Sequence, residues 1–104
     1  MIRDITAKGW RGKIYLPEYL TWAAMLQWER AIEEARALGE TASISEFYDK
    51  LLPVAIGIIT KFEIAKLPEP VTRENFPASP QFVKQIVEAI TDLYSLTNED
   101  EAPK

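Results

Sequence analysis

Leu51-Leu52-Pro53-Val54-Ala55-Ile56-Gly57-Ile58-Ile59 has no polar side chain at any of its nine positions. A helix that is apolar on every side cannot lie against water and has to be enclosed by other elements. Asp49 and Lys50 precede the stretch and Lys61 and Glu63 follow it, so it falls far short of the roughly 20 apolar residues of a membrane span. The flanking segments therefore have to supply its cover.

Immediately upstream, Ser43-Ile44-Ser45-Glu46 has the form of a capping box, in which the serine and the glutamate satisfy each other's backbone N–H groups. The helix that it starts is expected over about 44–65 and carries Ile44, Phe47, Tyr48, Leu51 and Leu52. Pro53 removes one backbone hydrogen bond and crowds the carbonyl four residues back, which predicts a kink or break near Asp49–Leu52. Gly57 suits a close helix crossing, or equally a tolerated weak point costing about 1 kcal/mol against alanine. Earlier in the chain, Thr21 is placed to cap a helix over 22–38 that Gly39 stops. Met25, Trp28, Ile32 and Ala35 form its apolar stripe, widened by Ala24, Ala31 and Leu38, while Gln27, Glu29, Arg30, Glu33, Glu34 and Arg36 hold the other side. Four prolines between residues 66 and 80 forbid a regular helix there and favour a stiff connection. Ser79-Pro80 then caps and starts a helix over 80–96, whose stripe is Phe82, Val83, Ile86, Val87, Ile90, Leu93 and Tyr94.

At the N-terminal end, Trp10, Ile14 and Leu16 alternate with Arg11, Lys13 and Tyr15, the pattern of a short strand with one covered face over about 10–16. Ile2 to Thr6 pairs with it as a hairpin through Ala7-Lys8-Gly9. Residues 98–104 have no apolar pattern and read as a disordered acidic tail. The expected fold is thus mainly α. It is a single domain over 1–97, a small bundle of three to four helices with a short N-terminal strand or hairpin.

A chain of 104 residues with 47% apolar side chains is sized for one globular domain. Its net charge of −4 disfavours nucleic acid and an anionic membrane surface, both of which call for a basic face. The chain contains neither cysteine nor histidine. Disulfides, thiolate metal sites and the commonest general base are thereby excluded. Met1-Ile2-Arg3-Asp4 opens without the apolar run of a secretory signal, so the cytosol is the expected compartment.

Few residues suggest chemistry. Trp28, in mid-stripe, reads as core. Trp22, in the first turn and off that stripe, suits core and contact surface alike. Glu29, Glu33 and Glu34 lack a ligand motif and read as a solvated helix face. Ser43 and Ser79 read as caps, with no histidine to activate them. Gly9-Trp10-Arg11-Gly12 lacks the spacing of a phosphate loop. Lys8, Arg11 and Lys13, beside Trp10 and Tyr15, read as a solvated strand face on an acidic chain. No enzyme, no cofactor and no metal is expected.

The order of these features resembles the tail assembly chaperones of long-tailed, siphovirus-like bacteriophages. Gly9-Trp10-Arg11-Gly12-Lys13-Ile14-Tyr15-Leu16-Pro17 is similar to their opening strand, followed by Leu20-Thr21 and by Trp28-Glu29 on the first helix. Leu51-Leu52-Pro53 with an apolar helix ending in Lys61-Phe62-Glu63-Ile64 resembles a second block, with Phe62 where the family more often carries tryptophan. Phe76-Pro77-Ala78-Ser79-Pro80 and Ile90 with Leu93-Tyr94 resemble a third. The resemblance spans roughly residues 9–95. It implies a protein of the host cytoplasm that binds the tape measure protein, or another apolar helical phage protein, and keeps it soluble until the tail tube polymerises. Many members also have a longer, frameshifted form. The contacts expected on this reading are Trp22, Phe62, Phe76 and Tyr94, large side chains at element ends or in the proline-rich connection. Self-association is left open, and neither nucleic acid nor membrane is expected as a partner. The competing readings are a small structural tail or head-completion protein of the virion and an unrelated helical interaction module.

Overall fold

The structure, a computed structural model, describes residues 1–101. In chain order its elements are β1 (Ile2–Ile5), β2 (Gly12–Tyr15), α1 (Trp22–Ala37), α2 (Ile44–Ile58), β3 (Lys61–Ile64) and α3 (Pro80–Glu101). The strands form one antiparallel sheet in the order β1-β2-β3. Helices α1 and α3 both pack on α2, and α3 also meets β1. The architecture is therefore three helices with a three-stranded sheet, where the sequence suggested a helical bundle carrying only a strand or hairpin.

The apolar stretch divides between two elements. Helix α2 ends at Ile58, Ile59 is already extended, and β3 begins at Lys61, so the expected helix over 44–65 is too long by a strand. The reason is local. Ile58, Ile59 and Thr60 are β-branched, and Lys61-Phe62-Glu63-Ile64 alternates polar and apolar with period two. That alternation lets Phe62 and Ile64 join Ile5 and Ile14 on the inner face of the sheet, with Ile5, Ile14 and Ile64 buried. The other face carries Asp4, Lys13, Lys61 and Glu63. There the Tyr15 hydroxyl donates to Glu63 Oε2 at 2.7 Å, and Lys61 Nζ sits 5.3 Å from the Tyr15 ring centre.

Three further expectations are corrected. Of the kink or break expected near Asp49–Leu52, the break is absent: helix α2 runs unbroken through Pro53. Proline forfeits one hydrogen bond, but Leu51, Leu52, Ala55 and Ile58 on the same helix are buried, and that tertiary packing outweighs the loss. Nor is the helix enclosed all round: Pro53 and Gly57, one turn apart, are exposed, and Val54 and Ile56 are half-buried. Helix α3 does not stop at 96 but continues to Glu101. Thr97 explains this extension. It is buried, it bonds back to the Leu93 carbonyl, and its hydroxyl accepts the Leu20 N–H at 3.2 Å. Residues 98–101, expected in the acidic tail, are thus helical in backbone, and residues 102–104 lie outside the described residues.

The caps stand as expected from the sequence. The Thr21 side chain accepts from Ala24 N, and Ser43 with Glu46 forms the complete capping box. Gly39 takes φ 81° just after α1, a left-handed conformation that favours glycine. On α1 the buried residues are Met25, Trp28, Ala31 and Ala35. The indole N–H of Trp28 is buried without an acceptor among the described residues.

An aromatic clamp joins three segments that are distant in sequence. Fully buried Phe82, on α3, stacks with Trp10 of the hairpin at 6.2 Å between ring centres. On its other contact it meets Phe76 of the proline-rich connection at 4.7 Å. The same connection is tied to α2 by Arg73, whose Nε and Nη2 bond the two carboxylate oxygens of Asp49 at 2.6 and 2.9 Å. Within it, Asn75 and Thr72 bond each other's backbone N–H groups, and the Asn75 amide donates to the Pro70 carbonyl. Gly12 is fixed by contact: a Cβ there would lie 2.2 Å from the Glu63 carbonyl oxygen.

Three outcomes follow for variants read by urea titration. Phe82→Ala is expected to cost about 3–5 kcal/mol, as for other buried phenylalanines. Gly12→Ala should cost about 1–3 kcal/mol, because β3 must move away from β2 to admit the methyl group. The third concerns pH. Hydrogen bonding to Arg73, and its charge, hold the Asp49 carboxyl below its usual range. A depressed folded-state pKa adds stability above the unfolded value and loses it as pH falls through the folded one. Arg73→Gln is therefore expected to be less stable than the parent at pH 7, with the gap closing as pH drops below about 3.9.

Candidate functional site

A crease runs between α1 and α2 where the exposed edge of α2 leaves the core. Its apolar end is lined by Pro17, Tyr19, Leu20, Ala24, Val54, Gly57 and Ile58. Gln27, Pro53 and Val54 continue it into a second, charged end lined by Arg30, Glu34, Asp49, Lys50 and Arg73. The floor is low because Pro53 and Gly57 carry little side chain where a leucine would fill the gap. Gly57 indeed has no atom within 4 Å of where a Cβ would stand. The close helix crossing that this glycine suggested is absent, and its smallness instead keeps the crease open.

One large aromatic side chain stands at the apolar end, and a second is exposed at the start of α1. Tyr19 lines the crease and is 66% exposed, and Trp22, which opens α1 just after the lining residue Thr21, is 69% exposed. They have this exposure because Leu20 between them is buried and hydrogen-bonded to Thr97 through its N–H. The chain bends at Glu18 and Tyr19 just before this anchor, and Tyr19 stays outside the core.

The structure does not bring the four expected contact residues together in one place. Trp22 stands exposed beside the crease. Phe62 is half-buried on β3 and lines a separate crevice with Ile56, Ile59, Leu67 and Val71. Phe76 is half-buried against Phe82. Tyr94 is half-buried, and its hydroxyl donates to Glu29, which ties α3 to α1. Glu29, read as part of a solvated face, is accordingly a half-buried link between helices. Tyr19 was not singled out from the sequence. Its signal is an aromatic side chain in the short Pro17–Thr21 linker, outside every periodic stripe.

As to reactive chemistry, no group of three acidic, histidine or cysteine side chains suited to a metal ion occurs among the described residues. The Tyr15 hydroxyl is pushed up from its usual range, chiefly by its hydrogen bond to Glu63, and stays protonated at neutral pH. Among the described residues no helix is long and apolar enough to cross a membrane. What the crease offers is an apolar trough with one charged end and an exposed tyrosine, a combination suited to a polypeptide face. Comparison of the chain with protein-family models, with curated proteins and with solved structures finds no match.

Proposed function

We propose that this protein is a tail assembly chaperone of a long-tailed bacteriophage, which holds an apolar helical segment of the tape measure protein in the α1–α2 crease and keeps it soluble until the tail tube forms. The observation that carries the reading is Tyr19, 66% exposed at the apolar end of a trough lined by Val54, Gly57 and Ile58, with Trp22, 69% exposed, at the start of α1. Rings left in water by the free protein gain by being buried against a partner, the usual role of tyrosine and tryptophan at binding hot spots. The charged end of the crease suits the polar flank of an amphipathic helix.

The resemblance noted in the sequence supports the class of partner, and several residues that carry it have structural roles consistent with a shared scaffold. Gly12 permits the β2–β3 approach, Thr21 caps α1, Trp28 fills the core, and Phe76 completes the clamp on Phe82. One part of that resemblance is altered: the helix of the second block ends before Lys61, which lies in β3.

Co-expression with the tape measure protein of the same phage tests the proposal. The expected result is a clear rise in the soluble fraction of that protein. The double variant Tyr19→Ser/Trp22→Ser should keep its melting temperature, because both side chains are exposed, yet lose at least about tenfold in affinity. No gain in solubility with the parent chain, or undiminished binding by the double variant, refutes the assignment to this crease.

A further inference from the structure

The two edges of the sheet are not alike. Reciprocal bonds between Met1 and Leu16, at 3.0 and 2.8 Å, mark them as a hydrogen-bonded pair, so by alternation Arg3–Ile14 and Ile5–Gly12 are bonded likewise. Tyr15 and Lys13 then turn their backbone groups to β3, consistent with Thr60 donating to the Tyr15 carbonyl. It follows that Lys61 and Glu63 bond β2, whereas Phe62 and Ile64 turn their N–H and C=O groups to the outer edge.

The outer edge of β1 is guarded by α3. Arg3 pairs with Asp92 at 2.7 Å, the Thr6 N–H donates to Gln85 Oε1, and the Lys8 N–H donates to Gln81 Oε1. At β3 the Ile64 carbonyl accepts the Leu67 N–H at 3.4 Å, and no loop or helix bond reaches the Phe62 backbone groups among the described residues. The segment that follows does not add a fourth strand: among the described residues the sheet ends at β3, and beyond the Leu67 N–H no backbone bond from residues 65–71 reaches it. An open strand edge of this kind is a template for another strand.

We propose that β3 pairs with β3 of a second copy of this chain, antiparallel about a twofold axis at Phe62, to join the two sheets into one of six strands. Only even-numbered residues present donors and acceptors outward, so the backbone pairs Phe62 with an even-numbered residue of the partner subunit, and the proposed register is the one in which that residue is Phe62. That register sets Lys61 opposite the partner subunit's Glu63, and Glu63 opposite the partner subunit's Lys61. Both side chains are exposed on the outer face, at 64% and 53%. Two complementary cross-strand charge pairs per dimer therefore select this register over the one with Phe62 opposite Ile64 of the partner subunit, which would set the two Glu63 side chains against each other. The half-buried Phe62 rings come to lie side by side over the crevice formed with Ile56 and Leu67. Four residues of edge pairing bury less than the ~1,200 Å² of a standard interface, so the dimer is a weak one with a micromolar or weaker dissociation constant.

Sedimentation of the full chain from about 10 μM to about 1 mM tests this. A monomer–dimer equilibrium is expected, with the Phe62 amide gaining protection from hydrogen exchange as concentration rises. Lys61→Glu and Glu63→Lys should each weaken the dimer roughly tenfold by setting like charges opposite each other. The double variant Lys61→Glu/Glu63→Lys should restore it, and an equimolar mixture of the two single variants should form heterodimers. Circular dichroism melts establish that each variant is folded. A chain monomeric at 1 mM, a dimer indifferent to the single reversals, or open-ended oligomers expected of β1-to-β3 pairing would each overturn the proposal.

Discussion

Keeping Leu51, Ala55 and Ile58 dry is the requirement on which the arrangement rests. They sit on a helix that offers few polar side chains over its second half, so α1 and α3 both have to be drawn onto α2. Neither flanking helix is held there by apolar contact alone. Tyr94 of α3 bonds Glu29 of α1, Thr97 of α3 bonds the linker that enters α1, and Arg73 fastens the proline-rich connection to Asp49 of α2. Of these ties, the exposed Arg73–Asp49 pair adds little stability, since exposed ion pairs gain little over hydration. Their effect is on geometry. Each fixes how one covering segment is set on the helix that it shields.

Cover runs out on one side. With about one hundred residues, a domain buries a limited share of its surface, and here the chain leaves Pro53 and Gly57 facing water. These are the two positions on that side with the least apolar side chain to hide. The composition of α2 and its exposure are thus matched: a leucine at either site would demand cover that the chain does not have, whereas proline and glycine leave a shallow trough. The capacity to accept another apolar segment and the failure to enclose α2 are one structural fact.

Much of this could be read in the sequence, and the parts that could not share a physical cause. The capping box at Ser43, the stripe of α1 and the first four turns of α3 are local patterns, and local patterns survive folding when packing agrees with them. The end of α2 is not legible, because an apolar run of this length fits a buried helix and a buried strand equally well, and only pairing with β2 decides between them. The alternation of Lys61-Phe62-Glu63-Ile64 was the available clue. The end of α3 is illegible for a related reason: what extends the helix is the burial of Thr97 and its bond to Leu20, 77 residues away in sequence. For the site, Trp22 was legible as an aromatic residue outside its stripe. Tyr19 was not, because it lies in a five-residue linker with no period to depart from, and its exposure is set by the neighbour that α3 holds.

That last dependence links the far end of the chain to the candidate site. Had α3 stopped at 96, the Leu20 N–H would have lost its acceptor at Thr97, and a buried amide without a partner costs about 1–3 kcal/mol. The linker would then relieve the penalty by turning toward water, which moves Leu20 out of the core and gives Tyr19 freedom to fold over the crease. The extra turn of α3 holds the linker in the one arrangement that is both satisfied and open. Display of Tyr19 and Trp22 is in this sense a consequence of a hydrogen bond made by a threonine on another helix. It also explains how so small a domain keeps exposed rings from collapsing onto its own apolar trough: the residue between them is already committed to the core.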